Sequence, residues 1–498
     1  MRFGCIAKVL IAVLLVVTSS TAPAQDTLRI GSKRFTESYI LAQVLAQSAQ
    51  PHAAVEVQQG LGNTAIVYTA LRNGNIDAYP EYTGTIAQEI LKSPGTLSLE
   101  AMREQLAPLG LGVDIRLGFN DGYALAMRAD TAQRLGIAKL SDLARHPTLR
   151  LGLSNEFMGR ADGWKGLAQR YALPQQPSGL DHGLAYDAVS AAQVDVIDIY
   201  TTDAKITHLG LKVLDDDAGY FPRYDAVVLY RLDVPQRFPK AWAALQGLSG
   251  SITETAMIAM NARAELDSVA FDVIAREHLA GKGNAAPAGN GFFDKLFGPD
   301  FWRLTLQHLL LVFAAVALAV LIGVPLAVWV NPHARWRTAV LGASGLLQTV
   351  PSLAMLAVLI SWLGRIGTLP ALLALTLYAL LPVMRNTCTG LAEVPEGLKD
   401  AARALALSTR QRLWLIELPL AAPTLLAGVR TATTIAVGTA TIAAFIGAGG
   451  YGERIVTGLA LNDRQLLLAG ALPSAALALL FEGMFEVLAR RMRRNRGG

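Results

Sequence analysis

Between residues 305 and 489 the chain carries five apolar runs, about 305–330, 339–362, 367–385, 421–446 and 466–489, each long enough to cross a bilayer. Nothing constrains the fold more. In hydrocarbon a backbone satisfies its own N–H and C=O groups only in helices or closed barrels, and continuous runs of this length read as helices. Composition agrees: of 498 residues, 52% are hydrophobic and 17% charged, against roughly 25% charged in a soluble protein. The formal charge of +5 reflects where the basic residues fall and does not point to nucleic acid. His333, Arg335 and Arg337 come after the first run. Lys399, Arg403, Arg410 and Arg412 lie between the third and fourth, and Arg490, Arg491, Arg493, Arg494 and Arg496 close the chain. The positive-inside rule places all three groups in the cytoplasm. Five crossings then begin outside and end with a cytoplasmic C-terminus, in an inner, cytoplasmic membrane.

The residues before the runs read differently. Residues 1–24 have the pattern of a signal peptide: Arg2 and Lys8, a short apolar core from Val9 to Val17, and small residues at Ala22-Pro23-Ala24. An uncleaved anchor is the alternative, and either one exports the next domain. Residues 25–280 have soluble composition, and short apolar runs alternate with helical patterns: Leu28–Gly31 then Tyr39–Ser48, Leu149–Leu153 then Trp164–Tyr171, and Val194–Ile199. That alternation predicts an α/β domain of two lobes with a ligand site between them at strand ends. Residues 281–300 form a linker rich in Gly, Ala, Asn and Pro at its start. It leads into Phe292, Phe293, Phe297, Phe301 and Trp302, suited to a membrane interface or to a short amphipathic helix. The expected architecture is therefore a two-lobed α/β domain followed by an all-α transmembrane domain over 301–498.

Several chemistries lack their residues. No Gly-x-x-x-x-Gly-Lys-[Ser/Thr] phosphate loop is present, so the chain is not expected to hydrolyse ATP. No His-Glu-x-x-His, Gly-x-Ser-x-Gly or Cys/His cluster marks an enzyme or a metal site. The two cysteines, Cys5 and Cys388, have no evident disulfide or metal partner. No cofactor is implied.

Between the third and fourth runs lies a polar segment, 396–419. Its first half is rich in helix formers, and Pro419 is expected to end the helical pattern. Held between two spans, it would offer a soluble partner a docking surface; an ordinary amphipathic loop is the alternative. Its spacing resembles the coupling motif of ABC importer permeases: Glu-Ala-Ala, three residues, Gly, nine residues, Ile-x-Leu-Pro. The matching positions are Asp400, Ala401, Ala402, Ala406, Ile416, Leu418 and Pro419. Asp400 stands where Glu is usual, and Ala406 where Gly is usual. The resemblance implies a separate ATPase subunit that receives this helix, and a pair of permease chains.

Five stretches of the exported part resemble the binding proteins of glycine betaine, choline and carnitine importers, and in that family's order. They are Ile30–Glu37, Asn75–Thr85, Leu117–Ala124, Arg160–Trp164 and Val194–Asp203. His308–Leu311 and Gln348–Leu353 resemble the same family's permeases. The resemblance implies a fused substrate-binding and permease subunit of a type I ABC importer for quaternary-ammonium solutes. A methylated ammonium group donates no hydrogen bond and is held by aromatic faces, each worth about 0.5–2 kcal/mol. Matching positions make Tyr82, Tyr123, Tyr200 and Tyr224 the cage. Asp121 would add negative charge there, or else cap a turn. Lys33, Arg160 and Thr85 would hold a betaine carboxylate. An importer of amino acids or other small solutes with the same architecture, and a membrane-tethered solute receptor, remain the alternatives.

Overall fold

The computed structural model describes residues 26–93, 97–281, 291–461 and 463–494. The expected signal peptide, most of the Gly-rich linker start and Arg496 lie outside the described residues. Contacts divide the chain into two compact units, one over 25–295 with 456–467, the other over 296–455 with 468–498.

In the first unit β1 (Thr27–Gly31) turns Leu28 and Ile30 into the core, while Arg29 reaches out to Asp77. With β2 (Ala54–Gln58), β3 (Ala78–Tyr82), β4 (Leu111–Asp114) and β10 (Ala226–Arg231) it builds a sheet of order β2-β1-β3-β10-β4. The second sheet runs β7-β6-β8-β5-β9, from β5 (Tyr123–Arg128), β6 (Leu151–Ser154), β7 (Ser178–Leu180), β8 (Val196–Tyr200) and β9 (Leu211–Val213). These are the two expected lobes. The chain crosses between them twice, after β4 and after β9. The strand it enters each time, β5 or β10, is antiparallel to both its neighbours. The crossovers touch: Asn120 bridges Asp225, and the Asp121 amide donates to the Tyr224 carbonyl at 3.0 Å.

Buried apolar side chains on both sheet faces supply most of the stabilisation, about 1.5–3 kcal/mol for each large one. Ile40, Leu41, Val44 and Leu45 on the helix Thr36–Ala49 pack into one large core with Leu28, Ile30 and Val228. Ala126 of β5 and Ile197 and Ile199 of β8 make a separate cluster with Tyr186 and Val189 of the helix His182–Ser190. Each lobe also clamps a strand start with the same charged pair: Arg29 to Asp77 in the first, Arg150 to Asp195 in the second.

Among the described residues four helices are long and apolar enough to cross a membrane: Phe301–Val330, Thr368–Ala392, Thr409–Ile446 and Arg464–Arg491. The helices Thr368–Ala392 and Leu418–Ala440 pack closely at their glycines, Gly390 against Ala421 and Gly428 against Asn386. A Cβ on Gly428 would lie 2.6 Å from the Asn386 Cβ and 2.7 Å from the Pro382 carbonyl oxygen.

Two segments take shapes that the sequence pattern leaves open or misses, the second a correction. The run at 339–362 is not one straight span: it forms the helices Ala334–Thr349 and Ser352–Leu363, bent by 102°. Proline disfavours helical geometry in the residue before it, and Val350 is extended at φ −63°, ψ 128°. Its carbonyl at the break accepts the Tyr378 hydroxyl at 2.7 Å. At about 1.5 Å per residue, helices of 16 and 12 residues each fall short of a hydrocarbon core about 30 Å thick. The pair crosses only if both halves are used.

Nor does the helix stop at Pro419. A π-helical turn over Leu413–Glu417 leads straight into the helix Leu418–Ala440, with Pro419 in its first turn. The π turn already departs from the usual hydrogen-bond ladder, so the proline's missing N–H breaks little.

Candidate functional site

The antiparallel register of β5 against β8 pairs Tyr123 with Tyr200. Both side chains leave the same face, and their ring centroids lie 5.1 Å apart. Tyr224 comes from the second crossover and meets Tyr123 edge-on at 5.7 Å. Tyr82 ends β3 in the other lobe and joins through Phe35, 6.3 Å from Tyr82 and 5.2 Å from Tyr200. All four tyrosines are buried. Three of the expected four therefore meet ring to ring, and a phenylalanine connects the fourth.

The basic residues named from sequence lie against this cluster, and each is paired. Lys33 places its ammonium 2.6 Å from Glu81 and 5.0 Å from the Tyr82 ring centre. The Arg160 guanidinium stands 5.0 Å over Tyr123 and makes two hydrogen bonds to Asp162, at 2.7 and 2.6 Å. It also reaches the Thr85 hydroxyl at 3.4 Å, and Asp162 accepts the Tyr224 hydroxyl at 2.7 Å. Arg160 and Asp162 form a buried pair, where breaking one partner costs far more than the pair itself adds. Asp121 is held by Thr202. Its carboxylate faces Thr202, at 2.9 Å from the hydroxyl and 3.3 Å from the amide. Burial, then the neighbouring Glu37 charge, push the Asp121 carboxyl well above its usual range.

Sequence reasoning missed four members of this network. Phe35 and Glu37 lie in the first motif stretch but carried no assigned role. Phe157 packs at 5.2 Å on Tyr123. His182 stacks on Tyr200 at 4.4 Å and hydrogen-bonds Asp203 at 3.1 Å. Burial works against the imidazole's charge, but the Asp203 carboxylate outweighs it and lifts His182 to about 9. His182 thus lies on Tyr200, as Lys33 lies by Tyr82 and Arg160 on Tyr123. A cavity of about 220 Å³ opens beside Tyr200 between the lobes, lined among others by Phe35, Asn63, Asn155, Glu156 and His182. It sits at strand ends and helix starts, where open α/β sheets receive ligands. Among the described residues no group of His, Cys, Asp or Glu is arranged to hold a metal ion.

At the polar segment, the helix Glu396–Ala404 exposes Asp400 and Ala401 and buries Ala402. Ala406 takes the left-handed conformation, φ 52°, and the Leu407 amide bonds back to the Ala402 carbonyl at 3.1 Å. That is the turn a glycine favours at a helix C-terminus. Alanine makes the same turn here, at a steric cost of about 1–2 kcal/mol. Ile416, Leu418 and Pro419 are half-buried, while Leu405, Trp414 and Leu415 are exposed.

Two family models match the chain: the substrate-binding domain of ABC-type glycine betaine transport systems over residues 26–281, and the binding-protein-dependent transport system inner-membrane component over 319–494. The osmoprotectant import permease protein OsmW of Salmonella typhimurium is 44% identical over 189 residues, 37% of this chain and 88% of that protein. The choline transport system permease protein OpuBB of Bacillus subtilis is 38% identical over 195 residues, 39% of this chain and 89% of that protein. The ergothioneine transport permease/ergothioneine binding protein EgtU of Helicobacter pylori is 31% identical over 280 residues, 54% of this chain and 50% of that protein.

Proposed function

The chain belongs to the family of ABC-type glycine betaine substrate-binding domains, here continuous with an inner-membrane transport component, and from that premise we propose that it binds and imports a quaternary-ammonium solute. It is an ABC importer chain with fused binding and permease parts, a transport protein of the inner membrane rather than an enzyme. The observation that carries the finer reading is the convergence of Tyr123, Tyr200 and Tyr224, with Tyr82 joined through Phe35. Aromatic faces recognise a methylated ammonium without hydrogen bonds. Glycine betaine, choline and carnitine are the solutes of this class that we expect. Relatives named for osmoprotectant and choline transport support it.

The binding unit faces outward in this reading, and closure of its lobes on solute precedes transport. A separate ATPase subunit docks at Asp400–Pro419, where Leu405, Trp414 and Leu415 leave apolar surface exposed. Two copies of the chain form the pathway. Calorimetric titration of the purified full-length protein in lipid nanodiscs against choline, glycine betaine, carnitine and proline tests the reading. Proline without the quaternary amines would favour an amino-acid importer.

One observation favours a second solute. The cavity beside Tyr200 is also lined by His182, Asn155 and Asn63, and one relative is named for ergothioneine, a trimethylammonium betaine that also carries a ring. Ergothioneine therefore belongs in the same titration.

A further inference from the structure

Glu37 lies in the first turn of the helix Thr36–Ala49, in the lobe built on β1. Its carboxylate is buried. One oxygen accepts the Tyr82 hydroxyl at 2.5 Å. The other accepts the Thr202 hydroxyl at 2.6 Å and the Asn261 amide nitrogen at 3.3 Å. Thr202 lies just past β8 in the opposite lobe, two residues after Tyr200. The same hydroxyl lies 2.9 Å from Asp121, in the crossover between the lobes. Asn261 holds Thr202 a second time, donating to its carbonyl at 3.1 Å.

We propose that Glu37 is a positioning residue that ties the ring of Tyr82 to the opposite lobe, so that orienting the cage and closing the lobes are one event. The proposal rests on the solute reading above. A threonine hydroxyl has one proton, yet Thr202 stands within hydrogen-bond distance of two carboxyl groups. One contact therefore needs a proton carried by an acid. Burial supplies the means, raising Glu37 to about 7 against the hydrogen bonds of Thr202, Tyr82 and Asn261. When the lobes part, Thr202 leaves Glu37, and Tyr82 loses the fixed acceptor that sets its ring.

The raised value fixes the sign. The closed form binds the Glu37 proton more tightly than an open, hydrated form with an ordinary carboxyl, so closure weakens as pH rises toward and through about 7. Asp121 and Asp203 act on Glu37, the Lys33–Glu81 pair lies beside Tyr82, and Glu265, Lys205 and His182 lie around Asp203. Glu265 is itself raised to about 7 by burial, so only a substitution at Glu37 isolates its share of the pH slope.

The test is choline titration of the full-length protein in nanodiscs at pH 6 and 8, with Glu37→Gln, Glu37→Ala and the pair Tyr82→Phe and Thr202→Val. Glu37→Gln keeps an acceptor for Tyr82 and loses the titration. We expect it to bind within a few-fold of wild type at pH 8 and to show a smaller pH slope. Glu37→Ala should lose roughly tenfold to hundredfold in affinity. Tyr82→Phe and Thr202→Val should together cost less than the sum of their separate losses, which reads the coupling even where Glu37→Ala fails to fold. The proposal is overturned if Glu37→Gln keeps the full wild-type slope, or if the two losses simply add. Wild type that binds no quaternary amine would overturn the solute reading and this one with it; an intact affinity with additive losses would overturn this one alone.

Discussion

Tyr123 opens β5 where Tyr200 closes β8, and the strand register sets the two directly opposite with ring centres 5.1 Å apart. They lie 77 positions apart in sequence, 200 minus 123. The sheet brings them together, and the second crossover adds Tyr224. If these rings form the cage, Tyr123→Ala and Tyr200→Ala should each weaken choline binding by about 1–3 kcal/mol, from lost cation–π attraction and packing. Calorimetry on the full-length protein reads the loss, and unchanged affinity in both variants would exclude the cage.

The hydroxyls at two other positions are committed elsewhere. Tyr82 donates to buried Glu37 and Tyr224 to buried Asp162. Removing the hydroxyl leaves a buried carboxylate short of a donor, at about 1–3 kcal/mol. Tyr224→Phe should therefore lower the unfolding temperature of the binding unit as well as affinity, so retention of the ring face alone does not make the change mild. Tryptophan fluorescence during heating would show it.

Arg160→Ala should cost about 3–5 kcal/mol in stability, because it strands Asp162 in the core. The double variant with Asp162→Asn should recover much of that. A double no more stable than the single would mean that the guanidinium supports the fold through packing on Tyr123 rather than through its pair.

His182 gives a pH dependence of stability. Its value is raised from 6.5 to about 9 in the folded protein by the carboxylate of Asp203, which outweighs burial. The added stability is complete below about 6.5 and is lost as pH rises through about 9. We expect the unfolding temperature to fall between pH 7 and 9.5, and His182→Gln to flatten that part of the profile. A profile unchanged by the substitution would mean that the imidazole is neutral throughout.

At the polar segment, Ala402 is buried while Ala401 is exposed. Ala402→Glu should therefore disrupt the helix Glu396–Ala404 itself and abolish uptake, with choline binding intact. Ala406→Gly should preserve uptake and relieve the left-handed turn at φ 52°, since glycine carries no Cβ penalty there. Loss of uptake in Ala406→Gly would mean that the methyl makes a contact needed for transport.

The bent pair decides topology. Only if Ala334–Thr349 and Ser352–Leu363 together cross do the basic groups after the first span, in the polar segment and at the last helix share one side. A cysteine at Ser408 should then resist an impermeant reagent added outside intact cells. External labelling there would mean that the pair re-enters and the chain crosses four times.

Much of this molecule was legible from local pattern. Apolar runs locate membrane helices because the hydrocarbon demands an uninterrupted length, and β1, the helix Trp164–Tyr171 and β8 lie where short apolar runs alternate with helical ones. The bend at Val350-Pro351 was harder to read, since hydropathy is blind to direction and Pro351 could equally have ended a span or kinked it. Pro419 misled for a related reason: a proline stops a regular ladder, but a π turn at Leu413–Glu417 had already altered that ladder. The pairing of charges lay further out of reach. Lys33 with Glu81 and Arg160 with Asp162, like the hydrogen bond of Thr202 to Glu37, depend on which groups lose water together. Local sequence set the elements and the kinds of residue at their ends. Tertiary structure alone decided which of those ends meet and which charges are left with one another, because burial and strand register are properties of the assembled sheets and of no single stretch of chain.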